Sequence, residues 1–157
     1  MEALVEPEIE VRLRPPSGSG RLQPRYDVEA DVLEVGSAIP RGWPFGLDVR
    51  GKVILDLDRD GKLANFDLLI PRRLWHVDSN LEVPQATRQA DLQFSARTLS
   101  HKSFDTPVRV VTDEARSCAV IEFGHHSARN VDVIELSARC YAFVEAGALR
   151  GFFVRLP

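Results

Sequence analysis

The sequence predicts an all-β protein, mainly antiparallel with little helix, in which two tandem β-meander repeats pack as a pseudo-symmetric sandwich or half-barrel. Residues 53–71 contain two strand-like runs on either side of Asp60-Gly61, and residues 140–157 contain a similar pair around Gly147. No part of the chain repeats apolar residues every 3.6 positions over a long window, as an amphipathic helix would. The chain is long enough to bury a sizeable core.

The first hairpin carries the clearest pattern. Asp60-Gly61 is a dipeptide typical of a two-residue type I′ turn, in which Gly61 takes a positive φ at little cost. Counting outward from this turn places the apolar residues of both strands on one face, which we expect to be buried. These residues are Val53, Leu55, Leu57, Ala64, Phe66, Leu68 and Ile70. The opposite face carries the charge, including Asp56, Asp58 and Asp67.

The second half of the chain resembles the first. The same spacing separates Gly61 from Gly147 and Pro71 from Pro157, and it aligns Leu55 with Tyr141 and Leu57 with Phe143. Similar offsets relate 32–36 to 120–124 and 8–14 to 91–97. Matching segments in one order indicate a tandem repeat, although two unrelated all-β stretches would share part of this pattern. The prediction is a first repeat over 1–71, a connector over 72–90 and a second repeat over 91–157, forming one compact unit.

Taken in order, the first strand is predicted from Ile9 to Arg14, and the next strand segment covers residues 26–36. Residues 37–46 form a loop in which Trp43 and Phe45 stand among prolines and glycines. This loop is either a recognition loop or a lid over one end of the sheet. The connector is expected to contain one short helix beginning at Pro71.

Composition narrows the classes of partner. The formal net charge of −3 argues against nucleic acid as the main partner. No apolar run approaches the roughly 20 residues of a membrane span, and the acidic N-terminus does not resemble a signal peptide. Cys118 and Cys140 lack metal-ligand spacing and are expected to be buried thiols of a cytoplasmic protein. Of the 20 basic residues, all but Lys52, Lys62 and Lys102 are arginines, which favour planar recognition.

The sequence predicts no catalytic residues, no metal site and no cofactor. Asp56, Asp58 and Asp60 with Asp67 imitate the spacing of a calcium loop, but their flanks are strands rather than helices. His125-His126 has no carboxylate or cysteine at ligand spacing. No Gly-x-Ser-x-Gly nucleophile elbow is present.

Two landmarks resemble the YuzE-like family of small bacterial domains of unknown function. The first is Tyr26-Asp27-x-Glu29-Ala30-Asp31-x-Leu33, and the second runs from Gly51 to Leu63 and includes Asp56-x-Asp58-x-Asp60-Gly61. The match covers residues 25–70, with a diverged second copy at 110–157. The resemblance implies a short β-meander and little chemistry. Members of that family tend to stand beside toxin-like proteins, which implies an antitoxin-like role.

We therefore expect a non-enzymatic protein-binding module, toxin-neutralising in the manner of an antitoxin or immunity protein, that occludes a partner. The acidic hairpin tip suits a basic toxin. The predicted partner-binding residues are Trp43, Phe45, Asp56, Asp58, Asp60 and Phe153. Phe153 is included because Ala142, Val144 and Phe153 make the second face of the second repeat apolar, which requires cover by the connector, a second subunit or a partner.

Two alternatives remain open at this point. One is a small-ligand-binding β protein or unusual hydrolase that uses Asp27, Glu29 or the histidines. The other is a structural dimerisation module, in which the partner is a second copy of the chain. A membrane partner is not expected.

Overall fold

The computed structural model describes residues 8–17, 22–36, 43–124 and 131–157. Most of these residues form strands in antiparallel-rich sheets, so the all-β prediction is confirmed, and a sandwich describes the packing. No helix within the described ranges is long and apolar enough to cross a membrane.

The described part of the chain contains three sheets. The first sheet is built from β2 (Gln23–Asp27), β3 (Val32–Gly36), β4 (Phe45–Val49), β5 (Val53–Leu57), β6 (Leu63–Leu68) and β10 (Ser103–Phe104). The second sheet is built from β7 (His76–Val77), β8 (Arg88–Gln89), β11 (Val108–Thr112), β12 (Cys118–Phe123), β13 (Asp132–Ser137), β14 (Cys140–Glu145) and β15 (Ala148–Arg155). A two-stranded ribbon pairs β1 (Val11–Arg14) with β9 (Asp91–Phe94).

The two large sheets have corresponding strand orders. The first sheet runs β2-β3-β6-β5-β4-β10, and the second runs β7-β11-β12-β15-β14-β13-β8. In each sheet three consecutive strands form a meander (β4-β5-β6 and β13-β14-β15), and the preceding hairpin (β2-β3 and β11-β12) joins through its second strand. In each sheet, a two-residue strand pairs in parallel with the meander's outermost strand. This agreement is compatible with a tandem repeat, which stays a prediction.

The β1–β9 ribbon joins the two hairpin tips. The Val11 amide donates to the Gly147 carbonyl at 2.8 Å, and the Phe94 amide donates to the Gly61 carbonyl at the same distance. Val11 is itself paired with Phe94 in the ribbon. Each ribbon strand therefore binds the hairpin turn of the half of the chain to which it does not belong. This exchange ties the two halves together.

The core lies between the two large sheets. Phe66 of β6 and Phe152 of β15 are both fully buried, and their rings stack with centroids 4.2 Å apart and an interplanar angle of 16°. Phe123 meets Phe152 edge-on at 6.0 Å. Most of the buried apolar residues of both sheets belong to one continuous cluster. Such burial of large aromatic side chains dominates the energetics of a core.

The first hairpin turn differs from the prediction. Asp58 and Lys62 close a three-residue loop in which the positive φ falls on Gly61 (76°), and the Gly61 amide donates to the Asp58 carbonyl at 3.0 Å. This is a type I turn followed by a left-handed glycine, so the predicted two-residue type I′ turn is wrong here. Asp58 favours the three-residue loop, because its Oδ1 accepts from the amides of Asp60 and Lys62, both at 2.9 Å.

The two-residue turn occurs instead in the second hairpin. Ala146 (φ 49°) and Gly147 (φ 77°) are both left-handed, as a type I′ turn requires. Because this loop is one residue shorter, β14 is displaced by one position relative to the sequence alignment. Cys140, Ala142 and Val144 are buried, whereas Tyr141 and Phe143 are only half-buried. The alignment of Tyr141 and Phe143 with core leucines was therefore wrong.

Helical structure is short. A 3₁₀ turn covers Arg72–Leu74 directly after Pro71, where a short helix was expected. A helix not expected from the sequence, α1 (Ala96–His101), follows β9, and the Ser95 hydroxyl caps it by accepting from the Thr98 amide at 3.2 Å. The strand therefore ends at Phe94, inside the segment 91–97 that resembles 8–14 in the sequence. Cap residues of this type start helices even in strand-like sequence.

Candidate partner-binding site

Four carboxylates lie on the outer face of the first sheet, and we call them the acidic face: Glu34, Asp48, Asp56 and Asp67. Each is half-buried and stands between two buried apolar residues of its own strand. Glu34 pairs directly with Asp67 across β3 and β6, and Asp56 pairs with Asn65 across β5 and β6. Four neighbouring strands, β4, β5, β6 and β3, thus bring together carboxylates that are far apart in the sequence.

Glycine makes room for the polar side chains on this face. A Cβ added to Gly36 would lie closer than 3.0 Å to the Asn65 side chain, which therefore occupies the space above Gly36. From there the Asn65 Nδ2 donates to Asp56 Oδ2 at 3.0 Å. On the other side, Gly46 pairs with Asp56 and leaves open the surface beside its carboxylate. The centre of the acidic face is therefore flat and polar.

The charges on this face repel one another. Partial burial raises the pKa of Asp67, and the neighbouring charges of Asp56 and then Glu34 raise it further. Like charges directly opposite on a sheet are destabilising. Arg25 forms an ion pair with Glu34 at the edge of the sheet. Among the described residues, no cation ion-pairs with Asp56 or Asp67.

The predicted hairpin-tip residues divide by role. Asp58 holds the turn through its two backbone hydrogen bonds. Asp60 is exposed, and its carbonyl rather than its carboxylate accepts from Gln93 Nε2 at 2.6 Å. The Asp60 carboxylate therefore points a charge into solvent next to the acidic face.

A small cleft adjoins the tip. Its volume is about 200 Å³, below the roughly 300–1,000 Å³ of usual ligand pockets. The described residues that line it are Ser17, Leu22, Asp58, Asp60, Lys62, Leu63, Asp91 and Leu136.

The aromatic residues of the predicted loop lie at the same end of the sheet. Phe45 is the first residue of β4, is 38% exposed and pairs with Leu57, which places it next to Asp58. Trp43 is half-buried. Residues 37–42 of this loop are outside the described residues. The structure therefore places Phe45 at the same end of the first sheet as Asp58 and Asp60, but on the side of its partner Leu57 rather than on the acidic face with Asp56.

Phe153 does not belong to this group. It lies in the second sheet with 0% of its surface exposed, and its ring stacks on Tyr141 at 5.8 Å. Segment 78–87 joins β7 to β8 at opposite edges of that sheet, bonding to Thr112 at one end and Val133 at the other. The segment must pass the sheet on the side away from the core. The prediction of Phe153 as a partner contact is therefore corrected, because the side chain has no free surface.

The acidic residues of the first landmark mainly shape a turn. Asp27 Oδ1 accepts from the amides of Glu29 and Ala30, both at 3.0 Å, and Asp31 takes a positive φ of 59°. The Tyr26 hydroxyl accepts from the Arg72 amide at 3.2 Å. These contacts connect the β2–β3 turn to the 3₁₀ turn. Asp27 therefore has a local structural role in the β2–β3 turn.

Other candidate chemical groups are dispersed. Within the described residues, no three His, Cys, Asp or Glu side chains are arranged to hold a metal ion, and His125-His126 lies outside those residues. Cys118 and Cys140 are free and buried, and burial raises the pKa of both thiols. A raised pKa disfavours the thiolate form that a nucleophilic cysteine needs.

No family model and no curated protein matches the chain. The resemblance to the YuzE-like family therefore stays a prediction. Sequence reasoning missed Glu34 and Asp48 as site residues and placed Asp67 only on the charged face. The available signal was a lone carboxylate between two apolar residues in a strand, which marks an outward position.

Proposed function

We propose that the protein is a non-enzymatic binding module that docks a basic partner protein on its acidic face and hairpin tip. The observation that carries this proposal is the juxtaposition of Glu34, Asp56 and Asp67 on a sheet face, with the pKa of Asp67 raised by burial and by its neighbours. Such an arrangement costs stability in the free protein, and a cationic surface relieves that cost.

The energetic gain comes from exchanging repulsion for pairing. Directly opposed like charges cost about 0.2–1 kcal/mol on a sheet. Arginine or lysine side chains of a partner would replace this repulsion with charge-assisted hydrogen bonds, which are stronger than neutral ones. Complementary charge also accelerates association and selects against wrong partners.

The scaffold suits occlusion of a partner. The acidic face stands on the central strands of a sheet whose inner face packs in the core, so its geometry is set before binding. Preorganised surfaces lose less entropy on association. In biological terms we propose a toxin-neutralising role of the antitoxin or immunity kind, in the cytoplasm of a bacterium. The free thiols Cys118 and Cys140 support a reducing compartment.

The test is capture of a partner by the tagged full chain from lysate of the native host, quantified by mass spectrometry at low and high salt. We expect one stoichiometric protein of basic composition that is released more readily at high salt. The variant with Glu34→Gln, Asp56→Asn and Asp67→Asn should lose it, because the three charges are removed while the polar shapes remain.

A matched control removes three carboxylates elsewhere, through Glu82→Gln, Glu114→Gln and Asp132→Asn. These residues are exposed and lie outside the first sheet. We expect this control to retain the partner. Equal loss of the partner in both variants would show that net charge, rather than the acidic face, governs binding, and retention in both would refute the proposal.

A further inference from the structure

Arginines gather at the end of the sandwich opposite the hairpin tip. Arg72 begins the 3₁₀ turn beyond β6, and Arg116 lies in the β11–β12 turn of the other sheet. Arg72 Nη2 donates to the Arg116 carbonyl, so the two turns are in contact. This contact therefore joins a turn of the first sheet to a turn of the second sheet.

Arg72 is held in a defined orientation. Its guanidinium carbon lies 5.4 Å from the centre of the Tyr26 ring, within range of a cation–π contact. Its backbone amide donates to the Tyr26 hydroxyl at 3.2 Å. Trp75 packs edge-on against Tyr26, with ring centroids 6.1 Å apart. These contacts hold Tyr26 in place with the Arg72 guanidinium beside its ring, and a guanidinium held in this way can donate to two oxygens of one oxyanion.

The two arginines have unused donors. Arg72 Nε and Arg116 Nε are both buried, and neither has a hydrogen-bond partner among the described residues. A buried donor without a partner is costly, especially on a charged group. In native proteins such a group usually has a bound water or ion as its partner.

Two further arginines lie at this end. Arg139 Nη1 donates to the Leu156 carbonyl at 2.9 Å, and Leu156 in turn donates its amide to Ser117, next to Arg116. Arg155 pairs with Cys118 one residue further along. Among the described residues, none of Arg72, Arg116, Arg139 and Arg155 forms an ion pair.

Carboxylates also lie in the turns around these arginines: the exposed Glu114 in the turn of Arg116, and Asp113 and Asp31, which both accept from other donors. Asp113 accepts from the Ser117 amide at 2.7 Å and from the Ser117 hydroxyl. Asp31 Oδ1 lies 3.4 Å from the Arg72 backbone amide. Neither lies within ion-pair distance of the Arg72 or Arg116 guanidinium. The two guanidinium groups therefore have no ion-pair partner among the described residues.

We propose that Arg72 and Arg116 form a binding site for an oxyanion of the phosphate type. The anion would accept from the guanidinium donors of both arginines and bridge the turns that carry them. The ligand class is a phosphate or phosphoryl group, whether free or part of a larger molecule. This site lies at the opposite end of β6 from the acidic tip, so its test is independent of the proposed partner binding.

The experiment is a titration of the full chain with inorganic phosphate at constant ionic strength, followed through the NMR signals of the arginine Nε–H groups. We expect saturable shifts for Arg72 and Arg116. Arg116→Ala should weaken phosphate binding by roughly tenfold or more, the usual value of a hydrogen bond to a charged group. Arg59→Ala removes the same charge at the exposed hairpin tip and should change the affinity less than about twofold.

If Arg116→Ala does not fold, Arg72→Lys takes its place, because lysine keeps the charge and loses the planar fork. Phosphate binding to Arg72→Lys should be weaker than to the unmodified chain. Shifts that do not saturate, or that sodium chloride reproduces at the same ionic strength, would overturn the proposal. A phosphate affinity equal to that of the wild type in the Arg116→Ala or Arg72→Lys variant would also overturn the proposal.

Discussion

The close approach of β12 and β15 depends on a residue without a side chain at position 151. Gly151 has a φ of 150°, and a Cβ there would lie well under 3.0 Å from the Ile121 carbonyl oxygen. That oxygen belongs to the backbone of the neighbouring strand, so it cannot move without separating the strands. Gly151→Ala therefore tests whether the second sheet is packed as the structure describes.

The expected cost has two parts. An L residue held at an unfavourable positive φ costs about 1–3 kcal/mol, and forcing a methyl group into a packed interior costs about 1–3 kcal/mol more. Together they lower the free energy of unfolding by roughly 2–6 kcal/mol, a large share of the roughly 5–15 kcal/mol typical of a domain. The second sheet should weaken or shift its register around Phe152.

Gly46→Ala is the matched control. Gly46 lies in β4 on the outer face of the first sheet, and a Cβ there would meet nothing closer than 3.9 Å. Replacement of a strand glycine by alanine at such a site should be neutral or stabilising by about 0.5–1 kcal/mol. The same substitution in two strands is thus expected to have opposite effects.

Urea unfolding followed by tryptophan fluorescence measures both variants, with the slope of the transition as a check on two-state behaviour. If the unfolding free energy of Gly151→Ala is within about 1 kcal/mol of the wild-type value, the close pairing of β12 with β15 is refuted. Equal destabilisation by Gly46→Ala would show that glycine is needed in both sheets for a reason unrelated to the Ile121 carbonyl.

Three further predictions concern the acidic face, a turn and the core. Because the folded-state pKa of Asp67 is raised, the folded protein binds this proton more tightly than the unfolded chain, and the ionised group costs stability as pH rises through the raised pKa. Asp67→Asn should therefore raise the unfolding free energy at pH 7 by about 0.2–1 kcal/mol, as measured by urea titration. The gain should disappear at pH values below the ordinary aspartate pKa. A gain that stays constant at all pH values would contradict this. Ala146→Asn should raise stability by roughly 0.5–1 kcal/mol in thermal unfolding, because asparagine tolerates the left-handed φ of 49° better than alanine, and a loss of stability would argue against the type I′ turn. A double-mutant cycle with Phe66→Leu and Phe152→Leu should give a coupling energy of about 0.5–1.5 kcal/mol from the stacked rings, whereas additive effects would mean that the rings do not interact.

The sequence predicted the fold class and the register of the first hairpin away from its turn. Asp56 pairs with Asn65 and Leu55 with Phe66, as counting outward from Asp60-Gly61 requires. The predicted turn type is wrong because the Asp58 side chain accepts from the amides of Asp60 and Lys62, which favours the three-residue loop. Local side-chain hydrogen bonds of this kind are hard to weigh from residue types alone.

The error in the second hairpin has a related cause. One residue fewer in its loop moves β14 by one position, and in a strand a shift of one position exchanges the two faces. Ala142 and Val144 are thus in the core, while Phe153 is covered on the far side of the sheet. Identical glycine spacing could not reveal this shift, because Gly61 and Gly147 occupy different positions in their turns.

The acidic residues of the candidate site also differ in whether their contacts lie nearby in the sequence or on distant strands. The landmark carboxylates Asp27 and Asp58 are conspicuous in the sequence, yet they are occupied by amides of their own turns. The carboxylates that repel one another, Glu34 and Asp67, meet only because β3 pairs with β6 rather than with its successor in the chain. A carboxylate that holds a turn has already satisfied its acceptors. Asp67 instead faces like charges and has no ion-pair partner among the described residues, so a cation would stabilise it. The proposed binding site therefore rests on acidic residues that strand order, rather than a local turn, brings together.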